Sequence, residues 1–184
     1  METESGGWTA IQKRTSGSVS FDRTWTEYRD GFGYPNDSYW IGNDVIHQLT
    51  KGSNSSLYVS ITLQNGTTLY ERYHQFSVSG EDDIYKLFLG GPASGTLGDR
   101  MLDTGSPDYL DLSGMSFSTP DRDNDRYIGN CAALSSRRGG WWFNWCNSAF
   151  LNGPWSSALW STPWHPTVTD GRLIQETLMM IKSS

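Results

Sequence analysis

Residues 6–182 read as one α+β domain: an antiparallel sheet with short helices, joined to a loop-rich subdomain. Three observations predict this class. Apolar residues alternate with polar ones in short runs early in the chain and again near its end, which is the period of strands. Only two stretches carry helix start and stop signals, and both are short. Between them and the end lies Phe117 to Gly153, FSTPDRDNDRYIGNCAALSSRRGGWWFNWCNSAFLNG, where Gly, Ser, Asn and Asp recur and neither period holds. The sheet and helices are placed over about 6–90 with a closing strand at 173–181. The loop-rich part takes about 91–170.

Trp8, Ala10 and Gln12 at alternate positions open a strand, ended by a turn at Ser16-Gly17. Thr24-Trp-Thr-Glu27 is a capping box, so a helix runs to about Asp30 and Gly31 ends it. Its apolar face is Trp25, Tyr28 and Phe32. Asn43 is placed as the cap of a second helix, to about Lys51, with Val45, Ile46 and Leu49 inward and Gly52 as the stop. His47 falls within it, either as a hydrogen-bonded structural side chain or as a site residue. Leu57 to Leu63 alternates as a strand, Asn65-Gly66 marks a hairpin, and Thr67 to Val78 returns. Tyr85 to Leu89 makes another strand. Gly90 to Ser116 reads as a long surface loop. Leu173 to Ile181 is short and uncapped, so a strand is favoured there over a helix.

Composition bounds the function. With 184 residues, 36% hydrophobic and 14% aromatic, the chain can bury a core. A mean hydropathy of -0.54 fits a loop-rich, water-exposed protein. The net charge of -6 argues against nucleic acid or an anionic membrane as partner. No apolar run is long enough for a membrane span, and METESGGWT has no apolar leader core. Asn36, Asn54 and Asn65 each begin an Asn-X-Ser/Thr triplet, which points to passage through a secretory route with any leader upstream. The only three histidines, His47, His74 and His165, sit in no catalytic motif, and no GxSxG, HExxH or phosphate loop is present. An enzyme is not expected.

Asp121, Asp123 and Asp125 alternate along one turn. Calcium takes six to eight oxygens from carboxylates, carbonyls and water, and this turn offers several; a solvated turn with Asp–Arg pairs fits the residues equally. It is not an EF-hand loop, since the sixth position is Arg126 and the twelfth Ala132. Cys131 and Cys146 are the only cysteines, and they stand either reduced and buried or bridged. A bridge would close a loop worth about 3 kcal/mol. Trp141 and Trp142 are assigned to core packing ahead of ligand contact.

Several motifs in order resemble the fibrinogen C-terminal domain family. They are GGWTAIQKR from Gly6, GSVSFDRTWTEYRDGFG from Gly17, YWIGNDVIHQLT from Tyr39, FSTPDRDND from Phe117, GNCA from Gly129 and WWFNWCNSAFLNG from Trp141. The likeness covers nearly the whole chain, from Gly6 to about Lys182. It implies a secreted recognition module that binds calcium through the side chains of Asp123 and Asp125 and the carbonyls of Tyr127 and Gly129. It implies a Cys131–Cys146 disulfide, and a cis peptide between Trp145 and Cys146. It implies a ligand site at Trp145, Cys146, Asn147 and Trp160. The main expectation is a lectin for acetylated sugars on microbial surfaces, in innate immunity. The alternative is a protein-binding module of receptor-ligand, matrix or clotting type. Oligomers would form through an upstream segment. Four departures stand out. Asn147 replaces a frequent His. The Gly153–Trp160 loop is short for a lectin. Gly95–Met115 is long. The family's N-terminal piece with its own disulfide is missing.

Overall fold

The computed structural model describes residues 7–102, 110–160 and 162–183. Seven strands form one antiparallel sheet: β1 (Thr9–Arg14), β2 (Phe32–Gly33), β3 (Tyr39–Trp40), β4 (Ser55–Leu63), β5 (Thr68–Val78), β6 (Leu87–Gly95) and β7 (Ile174–Ser183). Their spatial order is β2-β3-β1-β7-β4-β5-β6. Two helices, α1 (Trp25–Asp30) and α2 (Asn43–Thr50), lie among the strands in sequence.

The last strand in sequence takes a central place, between β1 and β4. Its alternation explains why. Thr177, Met179 and Ile181 are buried and stand opposite Ile61, Val59 and Leu57 of β4, whose side chains are buried too. A helix over Leu173–Ile181 would have scattered that row around its axis. The β4–β5 hairpin turns at Asn65-Gly66, where Gly66 holds a φ of 84° that an L side chain resists.

Local signals place α1 as expected. The Thr24 hydroxyl accepts from the Glu27 N–H, the Glu27 carboxylate accepts from the Thr24 N–H, and Gly31 closes the helix at φ 90°. The α2 helix differs from expectation. Asn43 does not cap it; its Oδ1 accepts from Trp40 Nε1 at 3.0 Å, and the cap residue is Gly42. Val45 and Leu49 are exposed, and Ile46 alone of the three is buried. An eight-residue helix offers too narrow a stripe to bury all three against one neighbour.

Two further expectations are corrected. The alternation in β1 breaks, because the register with β7 shifts between Ala10 and Gln12, so Ile11 and Gln12 are both buried. A bulge re-aims one side chain in this way. Gly90–Ser116 is not all surface loop: β6 continues to Gly95, and Leu97, Met101, Leu112 and Met115 are buried.

The core joins both halves through aromatic rings. Phe117 lies against Trp25, Tyr28, Trp40 and Trp142, with centroids 5.2–6.2 Å apart. Trp141 and Trp142 are fully buried, as the sequence reading had them, and Trp142 Nε1 donates to the Tyr85 carbonyl.

Candidate functional site

The turn that carries the three aspartates is built by side chains bonding to backbone, which suits a segment without strand or helix ladders. Asp121 accepts from the Trp25 N–H at 2.9 Å and from the Thr119 hydroxyl at 2.7 Å. Asn124 donates to the Phe117 carbonyl, and its N–H donates to the Ser118 hydroxyl. Both side chains thus hold the turn in place. Asp125 reaches across it, accepting from the Tyr127 N–H and the Cys131 N–H, each at 2.8 Å. Asp123 accepts from the Asp125 N–H.

Burial, and then the neighbouring Asp123 charge, push the Asp125 carboxyl up to about 6 against the pull of its two N–H partners. The Asp–Arg pairing open at the sequence level does not form here. Arg122 turns away, its guanidinium 4.0 Å from the Trp25 ring centroid and 3.7 Å from Glu81. Among the described residues, the carbonyls of Tyr127 and Gly129 accept no hydrogen bond. Nor do any three acidic, His or Cys side chains gather closely enough to hold a metal by themselves. The donor set on offer is therefore two carboxylates plus free carbonyls. That set suits a hard, oxygen-seeking cation of the calcium type, with water completing the shell.

Cys131 and Cys146 form a disulfide, so the end of the turn is tied to the aromatic segment. The Arg126 N–H donates to the Asn144 carbonyl, and the Asn144 N–H to the Cys146 carbonyl. These ties bring Trp145 beside the turn: its ring centroid lies 6.4 Å from that of Tyr127, and the residue is 56% exposed. Ile128, at the tip, is 96% exposed. Asp123, Tyr127, Ile128 and Trp145 make one surface, part acidic and part apolar.

The rest of the expected ligand set lies elsewhere. Trp160 is 0% exposed; its Nε1 donates to the Phe150 carbonyl at 2.7 Å and its ring packs against Trp155. It cannot line a surface slot. Cys146 is buried. Asn147 is buried, with Oδ1 accepting from Arg137 Nε at 3.0 Å and Nδ2 donating to the Thr162 hydroxyl at 3.2 Å. Its amide is already paired at both ends. The Trp145–Cys146 peptide is trans; among the described residues the cis bond is His165–Pro166. A non-proline bond takes the trans form unless its surroundings forbid it.

A group that sequence reasoning missed holds the neighbouring loop. Arg14 is 1% exposed, and its Nη1 donates to the carbonyls of Leu151 and Gly153 at 3.1 and 2.6 Å. Phe21, Trp155 and Trp160 surround the guanidinium, with centroids 4.2–5.3 Å away. Burial pushes its pKa down to about 9, so it stays charged at neutral pH. An Arg in a strand ordinarily reads as a solvent-facing residue, and no signal marked this one. His47 is structural in this frame, with Nδ1–H donating to the Val78 carbonyl.

The chain matches the family model described as the C-terminal globular domain of fibrinogen beta and gamma chains over residues 1–182. This chain belongs to that family. Bovine angiopoietin-4 is 38% identical over 100% of the chain, and human fibroleukin 46% identical over 83%. The domain spans 36% and 34% of those relatives' lengths. The fibrinogen-like globe domain of human ANGPTL2 superposes with a TM-score of 0.82 at 34% identity, covering 97% of this chain and 81% of that one. Lamprey fibrin D-dimer, solved with the peptide Gly-His-Arg-Pro-amide, gives 0.83 at 34% identity, covering 98% and 63%. The fibrinogen-like domain described here therefore has the α+β fold its sequence pattern called for.

Proposed function

We propose that this fibrinogen-like domain is a non-catalytic, extracellular protein-recognition module, and that its contact surface is Tyr127, Ile128 and Trp145 beside a calcium-stabilised turn. The observation that carries the reading is the burial of Cys146, Asn147 and Trp160, three of the four residues expected to hold a sugar. Trp160 is in the core, and the buried Asn147 side chain is bonded to Arg137 and Thr162, so neither is presented at the surface as a sugar contact. What remains outside is an apolar ridge on a pinned turn. Exposed apolar groups rimmed by charge suit a protein partner. The relatives support this choice, being angiopoietins, fibroleukin and a fibrin fragment solved with a peptide. Calcium, held by Asp123, Asp125 and the carbonyls of Tyr127 and Gly129, would cancel the repulsion between the two carboxylates and set the ridge at one height.

The test is binding of a fluorescent multimer of the domain to a panel of animal cells, with calcium and with chelator, before and after mild trypsin treatment. Multimers are needed because a weak single site gains from linkage. Calcium-dependent binding that trypsin removes is expected. Binding that survives trypsin and is displaced by N-acetylglucosamine would restore the lectin reading instead.

A further inference from the structure

We propose that the groove between the end of α2 and the β5–β6 edge is the seat of the domain's own N-linked glycan, attached at Asn54. The inference rests on the extracellular reading above, since only a secreted chain meets the enzyme that installs such a glycan. The groove encloses about 640 Å³, within the roughly 300–1,000 Å³ span of small-ligand sites. Its walls include His47, Lys51, Asn54, Ser79, Lys86 and Phe88.

Asn54 is exposed and begins the triplet Asn54-Ser55-Ser56. It lies on the groove wall itself, and its amide makes no hydrogen bond among the described residues. A first sugar on its Nδ2 would therefore begin inside the groove. The lining suits a sugar more than an apolar ligand. Phe88 is 53% exposed and offers a ring face to the C–H face of a pyranose. His47 Nδ1 donates to the Val78 carbonyl, which leaves Nε2, near Gly80, to bond a sugar hydroxyl. Lys86 is held by Asp83 at 2.8 Å and adds donors at the rim.

The other two triplets provide internal controls. Neither Asn36 nor Asn65 lines this groove. Asn65 stands exposed at a hairpin tip, its Oδ1 accepting from the Thr67 N–H, and the adjacent Gly66 faces open space. A glycan there would have no wall to lie against. Sugars at Asn54 and Asn65 should thus differ in how freely an enzyme reaches them.

The experiment secretes the whole chain from eukaryotic cells behind an added leader. Native protein is then treated with peptide N-glycosidase in heavy-oxygen water, and release at each Asn is timed by peptide mass spectrometry. Asn54 is expected to be occupied, with native release about fivefold slower than at Asn65, the size of one ring contact. Heat-unfolded protein should lose the difference. Phe88→Ala should also lose it in the folded state, because Phe88 is exposed and its removal leaves the core intact. Asn54 found unmodified, released as fast as Asn65, or equally slow in Phe88→Ala would each overturn the proposal. None of these results bears on the recognition surface, which shares no residue with the groove.

Discussion

The sheet and the loop-rich segment that follows residue 117 are held together by different means. In the sheet, backbone bonds run strand to strand, and the side chains need only alternate. Leu57, Val59 and Ile61 face the core because a strand has a period of two. In the loop segment, few backbone groups find partners of their own kind, so side chains close the gap. Asn152 donates to the Gly140 carbonyl, Trp160 to Phe150, Asn144 to Asp111 and Arg14 to Gly153. Each is a single bond that no neighbouring repeat can replace. The sheet should therefore tolerate substitution gradually, while the loops should fail at particular residues.

The largest test removes the joint between the two regions. Phe117 touches rings from both, so Phe117→Ala should cost about 3–5 kcal/mol. Denaturant unfolding should lose its single transition. The sheet would keep slow-exchanging amides in β4 and β7 while residues 119–150 exchange freely. A uniform drop in protection across both regions would show that they unfold as one body.

The disulfide comes next. Replacing Cys131 and Cys146 by Ala should cost about 3 kcal/mol, the chain-entropy value for a loop of this length. The loss should fall on the loops, since both cysteines lie outside the sheet. Equal loss of protection in β4 would contradict the division.

Arg14→Leu follows. The change leaves the Gly153 carbonyl without its donor and removes a charge that three rings surround, for about 2–3 kcal/mol. Arg14→Lys should recover little, because one ammonium cannot reproduce the planar fork. Faster amide exchange over residues 150–153 than in β4 would report the damage locally.

These residues show what was legible in the sequence. The Thr24–Glu27 box, the Asn65-Gly66 turn and the alternation of β4 act over a few positions, and each appears in the structure as read. The Phe117–Gly153 segment was legible as special, because its residue types cannot build ladders. Its inner arrangement was not. Trp145 and Trp160 look alike in one dimension, yet one is exposed and the other buried. Only the approach of Arg14, Gly153 and Gly171 around Trp160 decides that. The Arg14 contact joins residues more than a hundred positions apart, and no local pattern encodes it. Asn43 fails as a cap for a local reason: Trp40 Nε1, three positions before it, takes its oxygen.

Calcium should act on the loops alone. At ten times the dissociation constant, a ligand bound only by the folded state stabilises it by about 1.4 kcal/mol. Added calcium should raise the melting temperature of the native chain accordingly, and Asp123→Asn should abolish the rise. The same substitution in calcium-free buffer should be neutral to slightly stabilising, since it removes the charge that faces Asp125 and the Asn oxygen can still accept from the Asp125 N–H. An unchanged melting temperature for the native chain would remove the cation from the turn.

The smallest effect on stability should be the largest on recognition. Ile128 is 96% exposed, so Ile128→Ser removes almost no buried surface and should shift stability by less than about 0.5 kcal/mol. Its effect on partner binding depends on what the ridge does. If Ile128 is a tip that enters a partner's pocket, truncation should cost at least about 2 kcal/mol of binding, as central interface anchors do. Trp145→Ala should cost as much, and the pair should be non-additive, since the two residues flank one turn and share its partner. A sugar site would respond differently: Trp145→Ala would weaken it, while Ile128→Ser would leave it unchanged, because a lone aliphatic tip gives a sugar ring nothing to stack on. Both variants keep the disulfide and both carboxylates of the turn. A calcium-induced rise in melting temperature equal to that of the native chain would show that any binding loss came from the ridge and not from a collapsed turn.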